Sequence, residues 1–356
     1  MASGFRWRRG ASPAPAPEPT PTPPPAPIIV ASLAIPNYSP ETVAVVGNTA
    51  YLAADPNGLT IVDVTNPAAP RILGTWEHAG LFQVAVAGNY VYVPDHASDT
   101  FTIPNVSNPA SPSVVGTLTD SRLGSMEGIV VKGNYAFITC SSNGGDTTPN
   151  SIASINITDP TNPTFAGYLT DNTYLLNSGP LAVSGNYLYS IADDFSTQNG
   201  FLTVVGISDP LNMSVVGHVA IPNGPASVVI SGNRAYVTSY NDVTNTFGGL
   251  TVVDISAPTS PAILGSIFST KLLSAFVSDI SGTLVYVPSF NSPGTGMVNV
   301  VDVSDPANPF IVTSFTDSSL DQVGAVTISG TYAYVVSGFL GAGANTLDVL
   351  DIRGLH

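Results

Sequence analysis

The sequence predicts an all-β fold, a seven-bladed β-propeller with four antiparallel strands per blade. Three observations predict it. A unit of four strand-sized apolar runs recurs every 41 to 52 residues, a turn glycine marks the same point in every copy, and the strand missing from the last copy stands ahead of the first.

Each unit opens with a short apolar run ending in Gly-Asn or Gly-Thr, the glycines being Gly47, Gly88, Gly133, Gly185, Gly232, Gly282 and Gly330. Such a dipeptide between two apolar runs reads as a hairpin turn. A Tyr-rich second run and a loop of variable length follow. The third run reads GLTIVDVTNP from Gly58, TFTIPNVSNP from Thr100, SIASINITDP from Ser151, FLTVVGISDP from Phe201, GLTVVDISAP from Gly249, MVNVVDVSDP from Met297 and TLDVLDIRGL from Thr346. Both alternating faces of Leu59–Val64 are largely apolar, as expected of a sheet covered on both sides rather than one with a wet face. A Pro-containing turn then leads to a fourth run such as Ile72–Trp76. The seventh copy ends without its fourth run, and Ile28–Leu33 aligns with that position. The N-terminal strand is therefore expected to complete the last blade and close the ring, removing its open edges. Pro104 interrupts the second copy and implies a bulge or local edge there.

Three segments follow: residues 1–10, a basic and aromatic anchor; residues 11–27, an extended linker; and residues 28–356, the propeller. The linker has proline at nine of 17 positions, which favours polyproline II and a spacer of roughly 50 Å. Arg6, Trp7, Arg8 and Arg9 in the first segment are the side chains suited to dock on a partner. No apolar h-region follows them, so no signal peptide is recognisable, and no apolar run is long enough to span a membrane. Residues 28–356 carry 6 basic against 23 acidic side chains, a balance of −17. A body so acidic repels phosphate backbones, which argues against nucleic acid as a partner. Cys140, the only cysteine, lies in an apolar run and reads as a buried packing residue.

GLTIVDVTNP, GLTVVDISAP and MVNVVDVSDP resemble the LVIVD repeat of bacterial and archaeal surface-associated proteins. The resemblance covers almost everything after residue 27. WD40 and kelch repeats fit less well, because neither a Gly-His/Trp-Asp pair nor a double glycine with Tyr/Trp recurs. The resemblance implies a propeller and a surface role, and it implies no catalytic residues.

Alternation of strand direction sorts the connections onto two faces. The first-to-second and third-to-fourth turns share one face and are short. The second-to-third and blade-to-blade loops share the other, where length and composition vary, and a rigid scaffold carries recognition on such loops. That face gathers Glu77, His78, Asp95, His96, Asp99, Asp120, Arg122, Asp146, Asp171, Tyr174, Asp193, Asp194, Tyr240, Asp242, Asp317 and Asp321. Carboxylates, amides and aromatics together suit a glycan or protein ligand, or equally a solvated acidic rim. Calcium is the one cofactor the acidity suggests, yet no segment matches D-x-[DN]-x-[DN]-G, and no cofactor is otherwise expected. The recurring Asp63, Asp254, Asp302 and Asp351, with Asn105 and Asn156 in equivalent places, are read as buried groups accepting N–H bonds from the turn that follows. His78 and His96 fall in loops of adjacent copies, where a shared site is conceivable, although His78, His96, His218 and His356 show no metal-ligand spacing.

No nucleophile elbow, zincin motif or phosphate loop is present. The expected function is a non-enzymatic display, adhesion or binding module, extracellular or on the surface of a cell envelope or large particle. It would be tethered there through residues 1–27. The alternative is a propeller hydrolase or lyase acting on glycans. Three or more ionisable groups converging in a pocket at the channel mouth favour the enzyme; a broad, shallow acidic rim favours binding.

Overall fold

The computed structural model describes residues 26–35, 40–54, 58–96, 98–141, 149–194, 199–240, 247–290, 296–338 and 345–355. The anchor and all but the last two residues of the linker lie outside them. Seven four-stranded antiparallel sheets form a ring. Blade 1 comprises β2 (Pro40–Val46), β3 (Thr49–Ala54), β4 (Gly58–Asp63) and β5 (Arg71–Trp76). Blade 2 has β6 (Ala85–Ala87), β7 (Tyr90–Pro94), β8 (Thr100–Asn105) and β9 (Ser113–Thr119); blade 3 has β10 (Met126–Lys132), β11 (Tyr135–Cys140), β12 (Ser151–Asn156) and β13 (Thr164–Thr170). Blade 4 contains β14 (Leu181–Ser184), β15 (Tyr187–Asp194), β16 (Asn199–Gly206) and β17 (Ser214–Pro222). Blade 5 contains β18 (Pro225–Ser231), β19 (Arg234–Ser239), β20 (Gly248–Asp254) and β21 (Ala262–Ser269). Blade 6 is built from β22 (Asp279–Ser281), β23 (Leu284–Phe290), β24 (Gly296–Asp302) and β25 (Phe310–Phe315). Blade 7 is built from β26 (Ala325–Ser329), β27 (Tyr332–Ser337), β28 (Thr346–Asp351) and β1 (Ile28–Ala34). Among the described residues no helix is long and apolar enough to cross a membrane.

Closure follows the sequence. β1 pairs antiparallel with β28, with Ile29 opposite Leu350, Ala31 opposite Val349 and Leu33 opposite Leu347. Ile35, just beyond β1, is 1% exposed, and its N–H donates to the Asn345 carbonyl at 2.8 Å. The core lies between blades rather than within them. Tyr51, Leu59 and Ile61 of blade 1 pack on Val91 and Val93 of blade 2, and Leu347 and Val349 of blade 7 pack on Val43 and Leu52 of blade 1. Burying one such side chain stabilises the fold by about 1.5–3 kcal/mol, so each interface depends on the register of both sheets. Cys140 is buried in the interface of blades 2 and 3.

The repeat motif encodes three devices. The turn glycines have φ of 55 to 61° with open space around them, and the residue after each stays at negative φ. This is the type II′ arrangement that suits the twist of a two-residue hairpin. The recurring Asp and Asn accept the N–H two residues on: Asp63 from Thr65 at 2.9 Å, Asn105 from Ser107 at 2.8 Å, Asp302 from Ser304 at 2.7 Å. The hydrogen bond is the expected one, but the carboxylates are not buried. They sit half-exposed at the ends of their strands, because the turn they cap faces water. Third, the outer strand of every blade carries a one-residue bulge at the same register. Pro104 sits at that bulge, and the ladder from β8 to β7 is interrupted beside it, resuming at Val93 opposite Thr102.

Candidate functional site

The first strands of the blades, β2, β6, β10, β14, β18, β22 and β26, surround the axis, and β2 packs on β26 where the ring closes. At their N-terminal ends, on the long-loop face, lies a cavity of about 380 Å³ lined by residues from all seven blades. Two positions of the repeat build most of it. The residue six before the turn glycine contributes Glu41, Phe82, Glu127, Gly179, Ala226, Phe276 and Gly324, one from each blade. The residue eight after that glycine, at the end of the second strand, contributes His96, Asp193 and Tyr240.

A backbone device aims the first set inward. Eight residues before the turn glycine, Gly80, Ser125, Asn177, Gly224, Ser274 and Gln322 all have positive φ, between 43 and 80°. A left-handed residue reverses the chain sharply, and for Ser, Asn or Gln it costs free energy that packing must supply. The following residue provides an anchor: Leu81, Met126, Ala275 and Val323 are each 0% exposed. The next residue then faces the axis. The carbonyls of Gly80, Ser125 and Gly224 accept from the N–H of His96, Ser141 and Tyr240 at 3.0 to 3.2 Å, which ties the first-strand start to the second-strand end. Hydroxyls stitch neighbouring blades at this level: Thr42 Oγ1 donates to the Phe82 carbonyl at 3.0 Å, Thr139 to that of Gly179 at 2.9 Å and Thr238 to that of Phe276 at 3.1 Å. Gln83 Oε1 accepts from Ile129 N–H at 2.9 Å.

The lining is acidic and aromatic. Asp193 is 4% exposed and accepts from Tyr240 Oη at 3.4 Å, and Asn177 Nδ2 donates to its carbonyl at 3.0 Å. Glu127 Oε1 accepts from Ser141 Oγ at 3.1 Å. Tyr240 stacks beside Phe276 with ring centroids 6.4 Å apart, Phe276 stacks on Phe290 at 5.8 Å, and the edge of His96 meets Phe82 at 4.7 Å. No lysine or arginine is among the described lining residues. Among the described residues no group of three or more His, Cys, Asp or Glu is placed to hold a metal ion.

Of the residues singled out from the sequence, His96, Asp193 and Tyr240 meet in this cavity. Asp194 borders a second hollow of about 300 Å³ in blade 4, with Asn172, Thr173 and Phe201. His78 does not share a site with His96; it stacks on Trp76 at 4.6 Å, with Nε2 3.2 Å from Asp95 Oδ2. Asp120 is bonded to the N–H and guanidinium of Arg122, whose cation covers the Phe165 ring at 3.5 Å. Asp171 caps the N–H groups of Thr173 and Tyr174, and Tyr174 stacks on His218 at 3.9 Å. Asp317 caps Ser319, Asp321 is half-exposed, and Glu77 and Asp99 point to solvent. Asp146 and Asp242 lie outside the described residues, as do Arg6, Trp7, Arg8 and Arg9.

The site residues missed by sequence reasoning are Glu41, Phe82, Glu127 and Phe276. Their signal was a column of the aligned repeats. Six before the turn glycine the chemistry changes from copy to copy (Glu, Phe, Glu, Gly, Ala, Phe, Gly), while the neighbouring turn position is uniform.

Several solved structures share the architecture. The computationally designed Ika8 protein has a TM-score of 0.60 at 10% identity, over 91% of this chain and 99% of that one. A candidate 6-phosphogluconolactonase from Bacteroides fragilis gives 0.65 at 9% identity, over 82% and 87%. A functionally unknown protein from Desulfotomaculum acetoxidans gives 0.56 at 15% identity, over 81% and 90%. At these identities the likeness is one of fold alone. No curated protein matches the chain. The LVIVD repeat itself matches at residues 40–77, 82–120, 123–171, 177–220, 225–268, 279–317 and 322–353, one match per blade, so the chain belongs to the LVIVD-repeat family.

Proposed function

We propose that the protein is a binding module that meets its ligand with the long-loop face, centred on the axial cavity, and is held to a larger extracellular assembly by residues 1–27. The observation that carries this reading is the ring of lining residues. One repeat position brings a residue from each of the seven blades to a single concave site, varied as two glutamates, two phenylalanines, an alanine and two glycines, whereas the short-turn face is stereotyped. A cavity of that size with apolar walls and a few polar groups is the usual form of a ligand site. The ligand classes favoured are a glycan or a protein segment.

A second reading, a hydrolase or lyase acting on glycans, meets the condition set from the sequence for an enzyme, because Glu41, Glu127, Asp193 and His96 converge on the cavity and acid–base chemistry needs ionisable groups in reach of one substrate. Binding is favoured over it because Glu127 and Asp193 already accept from the Ser141 and Tyr240 hydroxyls, and aromatic rings stand beside them. The activity named for the Bacteroides fragilis neighbour fits poorly, because its substrate bears a phosphate and the described lining of this cavity offers carboxylates without lysine or arginine. Glycan and peptide arrays probed with the full chain test the proposal. Capture lost on Phe82→Ala or Phe276→Ala supports it, and release of cleaved products from a captured glycan moves the case to the enzyme. Capture by neither array overturns the binding reading.

A further inference from the structure

We infer that the axial cavity takes a small organic cation, a ligand bearing a protonated amine or a quaternary ammonium group. This rests on the reading of that cavity as the ligand site and adds the chemical class of what enters it. Two observations carry it. Within the cavity, carboxylates from three different blades, Glu41, Glu127 and Asp193, face a lining whose one basic group among the described residues is the His96 imidazole. Aromatic faces stand among them, Tyr240 beside Phe276 on one side and Phe82 beside His96 on the other. Carboxylates in a partly desolvated cavity favour a positive charge, and π-faces favour a weakly hydrated organic cation over a metal ion that would demand several oxygen ligands at once.

Independently, the placement of the scarce basic side chains directs cations to this mouth. Of the six in residues 28–356, Arg71, Lys132, Arg234 and Arg353 stand at the short-turn end of the molecule. Only Arg122 and Lys271 are on the long-loop face, and Arg122 is paired with Asp120 at 2.6 Å. The field over the cavity is therefore negative out of proportion to the whole, and it draws cations in at a rate that falls with added salt.

The test is calorimetric titration of the full chain with tetramethylammonium, choline and spermidine chlorides, with glucose as the neutral control. Expected is saturable one-to-one binding of at least one of these cations, weakened as salt rises. Glu41→Gln and Glu127→Gln, near-isosteric and checked by an unchanged melting temperature, should each weaken it about tenfold, the size of one partly desolvated charge contact. Phe276→Ala should weaken it further. No saturable binding of any of the three up to about 20 mM, a level at which even very weak association registers, overturns the inference. So does undiminished affinity in the Glu41→Gln/Glu127→Gln double variant. Array capture that needs Phe276 in a chain that binds no ammonium ion removes the cation and leaves the cavity as the recognition site. Array capture indifferent to every cavity variant removes both.

Discussion

A tight constraint repeated around the ring is a glycine in the outer strand, and its replacement gives a measurable prediction. Gly74, Gly116, Gly167, Gly217 and Gly265 occupy one register of the fourth strand, and a Cβ there would lie 2.1 to 2.5 Å from the carbonyl of Pro109, Pro160, Pro210, Pro258 or Pro306 in the next blade's turn. At Gly116 the Cβ would also stand 2.9 Å from Pro163 Cδ. Both neighbours are rigid, so Gly116→Ala must push the turn of blade 3 outward by roughly 1 Å, enough to forfeit a quarter to a half of each affected contact. Overpacking of this kind costs about 1–3 kcal/mol. With an unfolding entropy of about 2.1 cal/mol/K per residue, that lowers the melting temperature of a propeller this long by about 1.5–4 °C. The internal control is Thr313, which pairs with Val300 just as Gly116 pairs with Ile103. It faces blade 7, where β28 runs into Arg353–Leu355 and the fourth strand is β1, so no third-to-fourth turn stands opposite. Thr313→Ala should therefore change the melting temperature by about 1 °C or less, as non-critical sites do. Calorimetric melting of both variants decides it. Equal shifts for Gly116→Ala and Thr313→Ala, or none for either, would refute the blade-contact account.

Deleting residues 1–35 should give aggregating protein, because it bares the β28 edge and the pocket of Ile35, whereas deleting residues 1–26 should leave solubility and melting unchanged; equal solubility of the two by gel filtration contradicts closure by β1. Acid should weaken the fold through its turn carboxylates. The Thr65 hydroxyl and N–H, with Arg71, hold Asp63 at about 2, and Arg353 holds Asp351 at about 2. Groups depressed in the folded state contribute stability above the ordinary carboxylate pKa and lose it as pH falls, so denaturant midpoints should drop between pH about 4 and about 2; a flat profile there contradicts the capping role. Replacing Arg6, Trp7, Arg8 and Arg9 with Ala should release the protein from its native assembly without altering its melting, and retention at normal occupancy would move the attachment surface onto the propeller.

The sequence by itself determined the number of blades, their strand order and the way the ring closes. Those features rest on local signals: glycine at a positive-φ hairpin position, an Asp or Asn two residues before the N–H it caps, an apolar run covered on both faces, and a fourth strand that one copy lacks and Ile28–Leu33 provides. It also separated the two faces, because strand direction alone fixes which loops lie together. Only the tertiary structure decided what happens at the axis. Glu41 and Glu127 are 86 positions apart; both stand six before a turn glycine, but nothing local aims that position at a shared cavity, and they approach one only because seven sheets close a circle. The opposite error has the same origin. Asp120, Asp171 and Asp317 stand on the expected face, yet each caps its own loop, since a short polar side chain finds a neighbouring N–H before it finds a ligand. Ser125 and Gln322 gave no sign of their left-handed backbone either, because neither side chain prefers it, and the burial of the residues that follow, Met126 and Val323, holds it in place.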